Sequence, residues 1–395
     1  MSEPRATSVA GRVRKGALVV SMLVMAVAAL LSGTDRQSRE FPNSPSFVGW
    51  PYDTGAARAR AMLTFVRQGP AHAIAYARRA VASDPISAQA VSILGQAQLY
   101  SQHTAEAHKA FSVSGQLGWR DGMTQIYWLD QALQDQDYKV AAERLDALLR
   151  QAPSDENRDR LLAAVAASEA GRSALAERLK LAPVWARTMV TTVSELPADQ
   201  VLQRIDLMRR TGKGVWDCPT SEFITQRLIN LGMIQEAQSV WQLNCETSGA
   251  LLYDGGFDHI DTLQKSTAFD WQLSNRGDAE ITIAGDGGQR SLALEVTGTV
   301  SLPIVQQIVV LKPGRYQLSW RTPDTNSAQA RALQVSLACN ADFSKAQVGE
   351  PVAGKSDTWR QQFVIDNQCQ VRQLIFWLAP GAPIHLDDVA LSLSR

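Results

Sequence analysis

LKPGRYQLSWRT, residues 311–322, joins a turn to a strictly alternating run. Lys312-Pro313-Gly314 supplies the turn, because proline presets φ and glycine accepts backbone conformations closed to other residues. Beyond it, Tyr316, Leu318 and Trp320 fall on one side of an extended chain, and Gln317, Ser319 and Arg321 on the other. An apolar side and a polar side at period two mark a strand packed on a core through one face. Similar runs lie to either side: SLALEVTG (291–298), IVQQIVVL (304–311), ALQVSLAC (332–339), WRQQFVID (359–366), RQLIFWLA (372–379) and IHLDDVAL (384–391). Asp286-Gly287-Gly288 is a second turn signal. At least seven short strands within about 140 residues predict a β-sandwich over residues 250–395.

Upstream, the period changes. Residues 53–245 are rich in Ala, Leu, Arg and Gln, with apolar residues at helical spacing. Ala73, Ala107 and Ala141 are 34 residues apart, as are Ala77, Phe111 and Leu145 four positions on. Pro85 and Pro153 stand two periods apart, and Leu94-Gly95 precedes the second unit. Small residues let two helices approach closely, and a proline cannot continue the helix before it. The segments AIAYARRAVASDP, AEAHKAFSVSGQLGW and AAERLDALLRQAP resemble the tetratricopeptide repeat. That resemblance implies stacked helical pairs forming an α-solenoid, with an extended concave surface for a protein partner. The phase degrades after Pro153, where Pro183 and Pro197 interrupt the pattern. It returns in TSEFITQRLINLGMIQEAQSVWQL (220–243), with Ala237 and Trp241 in the small and bulky places.

The C-terminal part carries a second resemblance. LLYDGGFD (251–258) followed by FDWQLS (269–274) resembles the opening of the carbohydrate-binding jelly rolls of families 4 and 9. LKPGRYQLSWRT, TWRQQFVID and APIHLDDVALS resemble later strands of the same modules, in the same order. The resemblance implies a jelly-roll β-sandwich, and it identifies a fold more firmly than a ligand. It also implies a structural calcium, because the acid of the opening motif and an acid of the DDV strand often meet in such modules. Asp258, Asp387 and Asp388 are the matching positions, and hard oxygen ligands suit that ion. The alternative is a strand-end hydrogen-bonding role for these acids. Sugar-binding modules stack aromatic rings on pyranose faces and reach the hydroxyls with polar side chains. In QLIFWLA, Leu374, Phe376 and Leu378 read as core, leaving Ile375 and Trp377 opposite. Trp377, with Arg321 and Gln317 from the polar face of the quoted strand, is the candidate glycan contact; the alternative for Trp377 is packing against the helical array. Trp271 and Trp359 read as core.

The N-terminus reads as membrane targeting. Arg5, Arg12, Arg14 and Lys15 precede the uncharged run Gly16–Thr34. A helix of that length spans about 28 Å, close to a bilayer core. Basic residues on the N-terminal side place the N-terminus in the cytoplasm and the bulk in the periplasm of a bacterial inner membrane. A signal peptide cut after Ala26-Val27-Ala28 is the competing reading. Leu30-Leu31-Ser32-Gly33 lacks the cysteine of a lipobox, since Thr34 follows. Residues 35–52, with three prolines and no periodicity, read as a spacer. The four cysteines all follow the apolar run, and none is spaced as a zinc knuckle or redox pair. An exported chain favours disulfides, and the sequence-local pairing is Cys218–Cys245 with Cys339–Cys369. Four buried free thiols are the alternative.

Lys and Arg total 39, as do Asp and Glu, and no region has the basic excess expected of a nucleic-acid binder. His72, His103, His108, His259 and His385 form no metal-ligand spacing, and no nucleophile, phosphate-loop or dinucleotide motif is present. Gly212-Lys213-Gly214 reads as a turn. The chain thus divides into a cytoplasmic stub and anchor (1–34), a linker (35–52), a TPR-like array (53–245) and a carbohydrate-binding-module-like sandwich (250–395). It reads as a multidomain protein, α then β, and as a non-enzymatic, membrane-anchored scaffold in exopolysaccharide assembly or export. A structural adaptor with no sugar ligand is the first alternative and a polysaccharide-modifying enzyme the second.

Overall fold

The computed structural model describes residues 9–41, 53–153, 157–245, 251–260, 267–275, 277–285, 290–323, 325–339, 342–349, 351–354, 357–367 and 369–394. The turn Asp286-Gly287-Gly288, and the linker from residue 42 to 52, lie outside these. Contacts divide the chain into two compact units, residues 1–178 and 179–395. The division falls inside the helical stretch.

The first unit is helical: α1 (Val9–Glu40), α2 (Thr54–Gln68), α3 (Pro70–Ser83), α4 (Ala88–Tyr100), α5 (Thr104–Leu117), α6 (Gly122–Gln134), α7 (Tyr138–Gln151), α8 (Arg158–Ala166) and α9 (Glu169–Leu179). Among the described residues, α1 alone is long and apolar enough to cross a membrane or to serve as a signal sequence. It runs on to Glu40, so residues 35–40, expected in the spacer, are helical. This extension carries Asp35, whose buried carboxylate accepts hydrogen bonds from the Gly55 and Ala56 amides at 3.0 and 2.8 Å. Those amides open α2 and have no partner within it.

Helices α2 and α3, α4 and α5, and α6 and α7 pack as consecutive pairs. The three 34-residue motif segments fall on α3, α5 and α7, the second helix of each pair. Ala73, Ala107 and Ala141 are fully buried, as are Ala77, Phe111 and Leu145. Gly95 explains its own motif: a Cβ there would press on the Phe111 ring at 3.0 Å. Side-chain caps start the later helices. Ser87, Asp121 and Asp137 accept from the amides of Ala90, Thr124 and Val140.

The second unit begins with α10 (Trp185–Thr191), α11 (Ala198–Thr211), α12 (Cys218–Asn230) and α13 (Ile234–Asn244). Strands follow: β1 (Gln272–Leu273), β2 (Ala279–Ala284), β3 (Ser291–Val296), β4 (Leu302–Val310), β5 (Gly314–Arg321), β6 (Leu333–Cys339), β7 (Asp342–Val348), β8 (Val352–Ala353), β9 (Thr358–Ile365), β10 (Val371–Leu378) and β11 (Ile384–Leu393). They form two antiparallel sheets, ordered β1-β4-β10-β6-β7 and β2-β3-β11-β5-β9-β8. The inward residues of both sheets share one core. Tyr316, Leu318, Trp320, Trp359 and Phe363 come from one side, and Val305, Leu337, Leu374, Phe376 and Leu378 from the other.

Both cysteine pairs are bridged, Cys218 to Cys245 and Cys339 to Cys369. The first closes the α12–α13 hairpin at its open end. The helices of this unit also hold the segment leading into the sheets. Trp241 on α13 donates from Nε1 to Thr267 Oγ1 at 2.9 Å and meets Tyr253 edge-on. Glu222 on α12 accepts from the Ala268 amide at 3.1 Å.

Candidate functional site

The opening motif Tyr253–Asp258 is shaped by backbone needs. The Gly255 carbonyl accepts from the Val389 amide at 2.8 Å, and a Cβ on Gly255 would collide with the Val389 carbonyl oxygen. Glycine is therefore required where the opening segment is laced to β11. Asp254, Phe257 and Asp388 all adopt positive φ around this junction. The Asp254 carboxylate accepts from the amides of Asp258 and His259 at 2.8 and 3.0 Å, and its ring neighbour His259 Nδ1 lies 3.3 Å away. Burial pushes the Asp254 carboxyl above its usual range, and these hydrogen bonds oppose that rise. A cleft of about 710 Å³ is lined by this segment together with Lys213, Trp216, Asn244 and Cys245.

The three acids proposed for calcium are used differently. The Asp388 carboxylate accepts from Arg321 Nη1 at 2.8 Å. Asp387 is pushed up by burial, with the negative charges of Asp388 and Asp258 adding to the rise. Among the described residues, no three His, Cys, Asp or Glu side chains gather where an ion could be held. Asp388 is committed to a guanidinium, so the pairing of the opening acid with an acid of the DDV strand falls to Asp258 and Asp387, whose charges act on one another.

The three glycan candidates are not brought together either. Gln317 and Arg321 lie on β5, in the six-stranded sheet, and Trp377 lies on β10, in the five-stranded sheet. The sheets share a core, so their outward faces point in opposite directions. Arg321 is held between Asp357 at 3.1 Å and Asp388 at 2.8 Å. Hydrogen bonding to both, Asp357 foremost, raises its pKa, and the guanidinium in turn lowers that of Asp357.

Trp377 has other company. Gln373 and Ile375 share its side of β10, and Gln306 stands opposite Ile375 on β4. Gln373 Nε2 donates to Gln306 Oε1 at 2.9 Å, and Gln306 Nε2 donates to Gln272 Oε1 on β1 at 3.2 Å. Three neutral amides thus run across β10, β4 and β1. The half-buried Trp377 indole N–H donates to Ser336 Oγ on β6 at 2.8 Å. Ile375 between them is 0% exposed. The face is a polar ladder beside an indole, over an apolar floor, and it can offer amide donors and acceptors next to an aromatic plane. The sequence reading missed Gln272, Gln306 and Gln373. Strand alternation alone sets Gln373 on the Trp377 side; Gln306 and Gln272 needed the strand pairing.

The sheets of the second unit form a two-sheet antiparallel β structure preceded by helices α10–α13, and the first unit is built mainly of helical pairs. No protein-family model and no curated protein matches the chain. Among solved structures, a family 4 carbohydrate-binding module, CBM4, is 22% identical and covers 36% of this chain and 99% of its own, at a TM-score of 0.27. PilF of Pseudomonas aeruginosa is 15% identical, covering 47% of this chain and 88% of its own, at 0.27. The enzymatically active domain of bacteriophage CBA120 tailspike protein 4 is 14% identical, and its match covers 39% of this chain at 0.27. The chain spans 23% of that tailspike domain.

Proposed function

We propose that the protein is a non-enzymatic, membrane-anchored scaffold on the periplasmic side of a bacterial inner membrane. In this reading α1 is the anchor, with the N-terminus cytoplasmic. The helical pairs form a TPR-like solenoid that binds a partner protein. The two sheets form a jelly roll that takes a glycan on the outward face of the five-stranded sheet. The setting is exopolysaccharide assembly or export. The observation that carries the glycan reading is the amide ladder Gln373–Gln306–Gln272 beside Trp377. Neutral amides pair with sugar hydroxyls in both directions, and an indole supplies a plane for a pyranose face.

Binding of the full chain to immobilised polysaccharides tests it. Trp377→Ala and Gln306→Ala should each weaken retention by roughly tenfold, the worth of one good contact, while Gln317→Ala, on the opposite face, leaves it unchanged. Wild-type protein that binds no polysaccharide would favour the structural adaptor. Turnover of a polysaccharide would favour the enzyme. Topology is checked separately: a C-terminal alkaline phosphatase fusion should be active and a C-terminal green fluorescent protein fusion dark.

A further inference from the structure

We propose that the cleft beside the opening motif is a second glycan site, which takes a neutral sugar residue through its hydroxyls. The inference rests on the glycan reading above for its ligand class, but not on the sheet face. One wall of the cleft is the turn after α11, with Lys213 and Trp216. A second is the end of α13, with Asn244 and Cys245, and the third is Tyr253–His259. All three lie in the second compact unit. The volume, about 710 Å³, falls within the roughly 300–1,000 Å³ of small-ligand clefts. The walls are fixed before any ligand arrives. The Cys218–Cys245 bridge ties the end of α13 to the start of α12. The buried Gln307 side chain accepts from the Tyr253 amide at 3.2 Å and donates to the Tyr253 carbonyl at 3.0 Å. Trp241 meets the Tyr253 ring edge-on, and Asp254 holds the amides of Asp258 and His259. A preformed site loses little entropy on binding.

What the lining leaves unused is mostly acceptors. Asn244 Nδ2 donates to the Val240 carbonyl at 2.9 Å, while its Oδ1 is buried and has no partner. An acceptor withdrawn from water and left unpaired costs free energy, which a ligand hydroxyl recovers. The exposed Asp258 carboxylate is in no hydrogen bond or ion pair. A carboxylate only accepts, so His259 Nδ1 carries its proton toward Asp254, and Nε2 of the neutral ring is left as an acceptor. The exposed Lys213 ammonium is unpaired and donates. Three acceptors beside a strong donor match a ring of hydroxyls, each of which both donates and accepts. Tyr253 adds aromatic surface for the apolar face of the sugar. Charge selects among sugars. Asp258 offsets Lys213, and Asp254 adds a second acid, so the lining has no positive excess and repels a uronate or a phosphate.

Carbethoxylation of His259, followed by mass spectrometry on the detergent-solubilised full chain, tests the site. The His259 side chain is 57% exposed and open to the reagent, and exposed His72 on α3 is the control. Cellobiose, lactose, maltose, mannobiose and glucuronate are each supplied at about 50 mM, roughly fifty times a millimolar Kd. At least one neutral disaccharide should slow modification of His259 by about threefold or more and leave His72 unchanged. Asp258→Asn and Lys213→Met should each raise the sugar concentration needed by roughly tenfold, while Trp377→Ala should leave the protection intact. An unchanged rate at His259 with every neutral sugar overturns the cleft, and retention on polysaccharide that still depends on Trp377 would leave the sheet face standing. Protection of His259 together with retention indifferent to Trp377 keeps the cleft and removes the sheet face. Protection by glucuronate alone overturns the neutral sugar. Protection that neither cleft variant weakens puts the sugar elsewhere and overturns the proposal.

Discussion

Two single residues show how local chemistry fixes this fold. Asp217 caps α12, its carboxylate accepting from the Thr220 amide at 2.8 Å. The Thr220 side chain and amide together hold its pKa below the ordinary carboxylate value. A depressed acid stabilises the fold above its unfolded pKa and loses that contribution as pH falls through the folded one. Asp217→Ala should cost about 1 kcal/mol at neutral pH, and chemical denaturation should find the gap between variant and wild type closing in acid. A gap that widens in acid would refute the cap. Gly255 is a steric requirement. Gly255→Ala must push the Val389 carbonyl away and break the hydrogen bond from the Val389 N–H to the Gly255 carbonyl. A loss of about 2–3 kcal/mol is expected, with a lower melting temperature as the readout. A neutral result would mean that the opening segment is not seated on β11.

At the scale of elements, the sequence was legible where a strand has neighbours on both sides. The seven alternating runs became β3, β4, β5, β6, β9, β10 and β11, which are the interior strands of the two sheets. The strands it missed, β1, β2, β7 and β8, are the four edges. Edge strands pair on one side only and are often kept short; β1 and β8 are two residues each, too short to show a period, whereas β2, AEITIA, does alternate and was legible but passed over. The helical motif was legible for a related reason: close crossings demand small residues at fixed spacing, and Gly95 against Phe111 is one of them. The candidate site was less so. Period two reveals which residues share a face of one strand, and says nothing of which strands share a sheet, so Gln317 and Trp377 were grouped across the core. Cys218 and Cys245 bracket α12 and α13, a separation of 27 residues. Replacing both by serine should cost about 3–4 kcal/mol in the chain-entropy model. Calorimetry should show the loss in the unit containing the sheets, and equal loss in both units would count against the assignment.

For the whole molecule, the notable boundary is the one between Arg178 and Leu179. The change from helical to alternating pattern near residue 245 suggested a joint there. The contacts of Trp241 and Glu222 with residues 253–269 instead tie α12 and α13 to the entry of the sheets. Proteolytic cutting between residues 246 and 250 should leave the two fragments associated under native conditions, as read by size-exclusion chromatography. Fragments that separate without denaturant would show these contacts to be too weak to hold the unit. Trp241→Ala should make such separation easier, because it removes both the ring contact with Tyr253 and the hydrogen bond to Thr267.

The strand order bears on how the chain is made. β10 sits at the middle of one sheet, joining β4 to β6, and β11 joins β3 to β5 in the other. Both come after every strand they join in the chain. Until they arrive, the earlier strands have no centre about which to assemble. Native closure of the module therefore waits on long-range pairing and is slow for that reason. A copy terminated before Val371 would lack the middle of both sheets at once and could close neither.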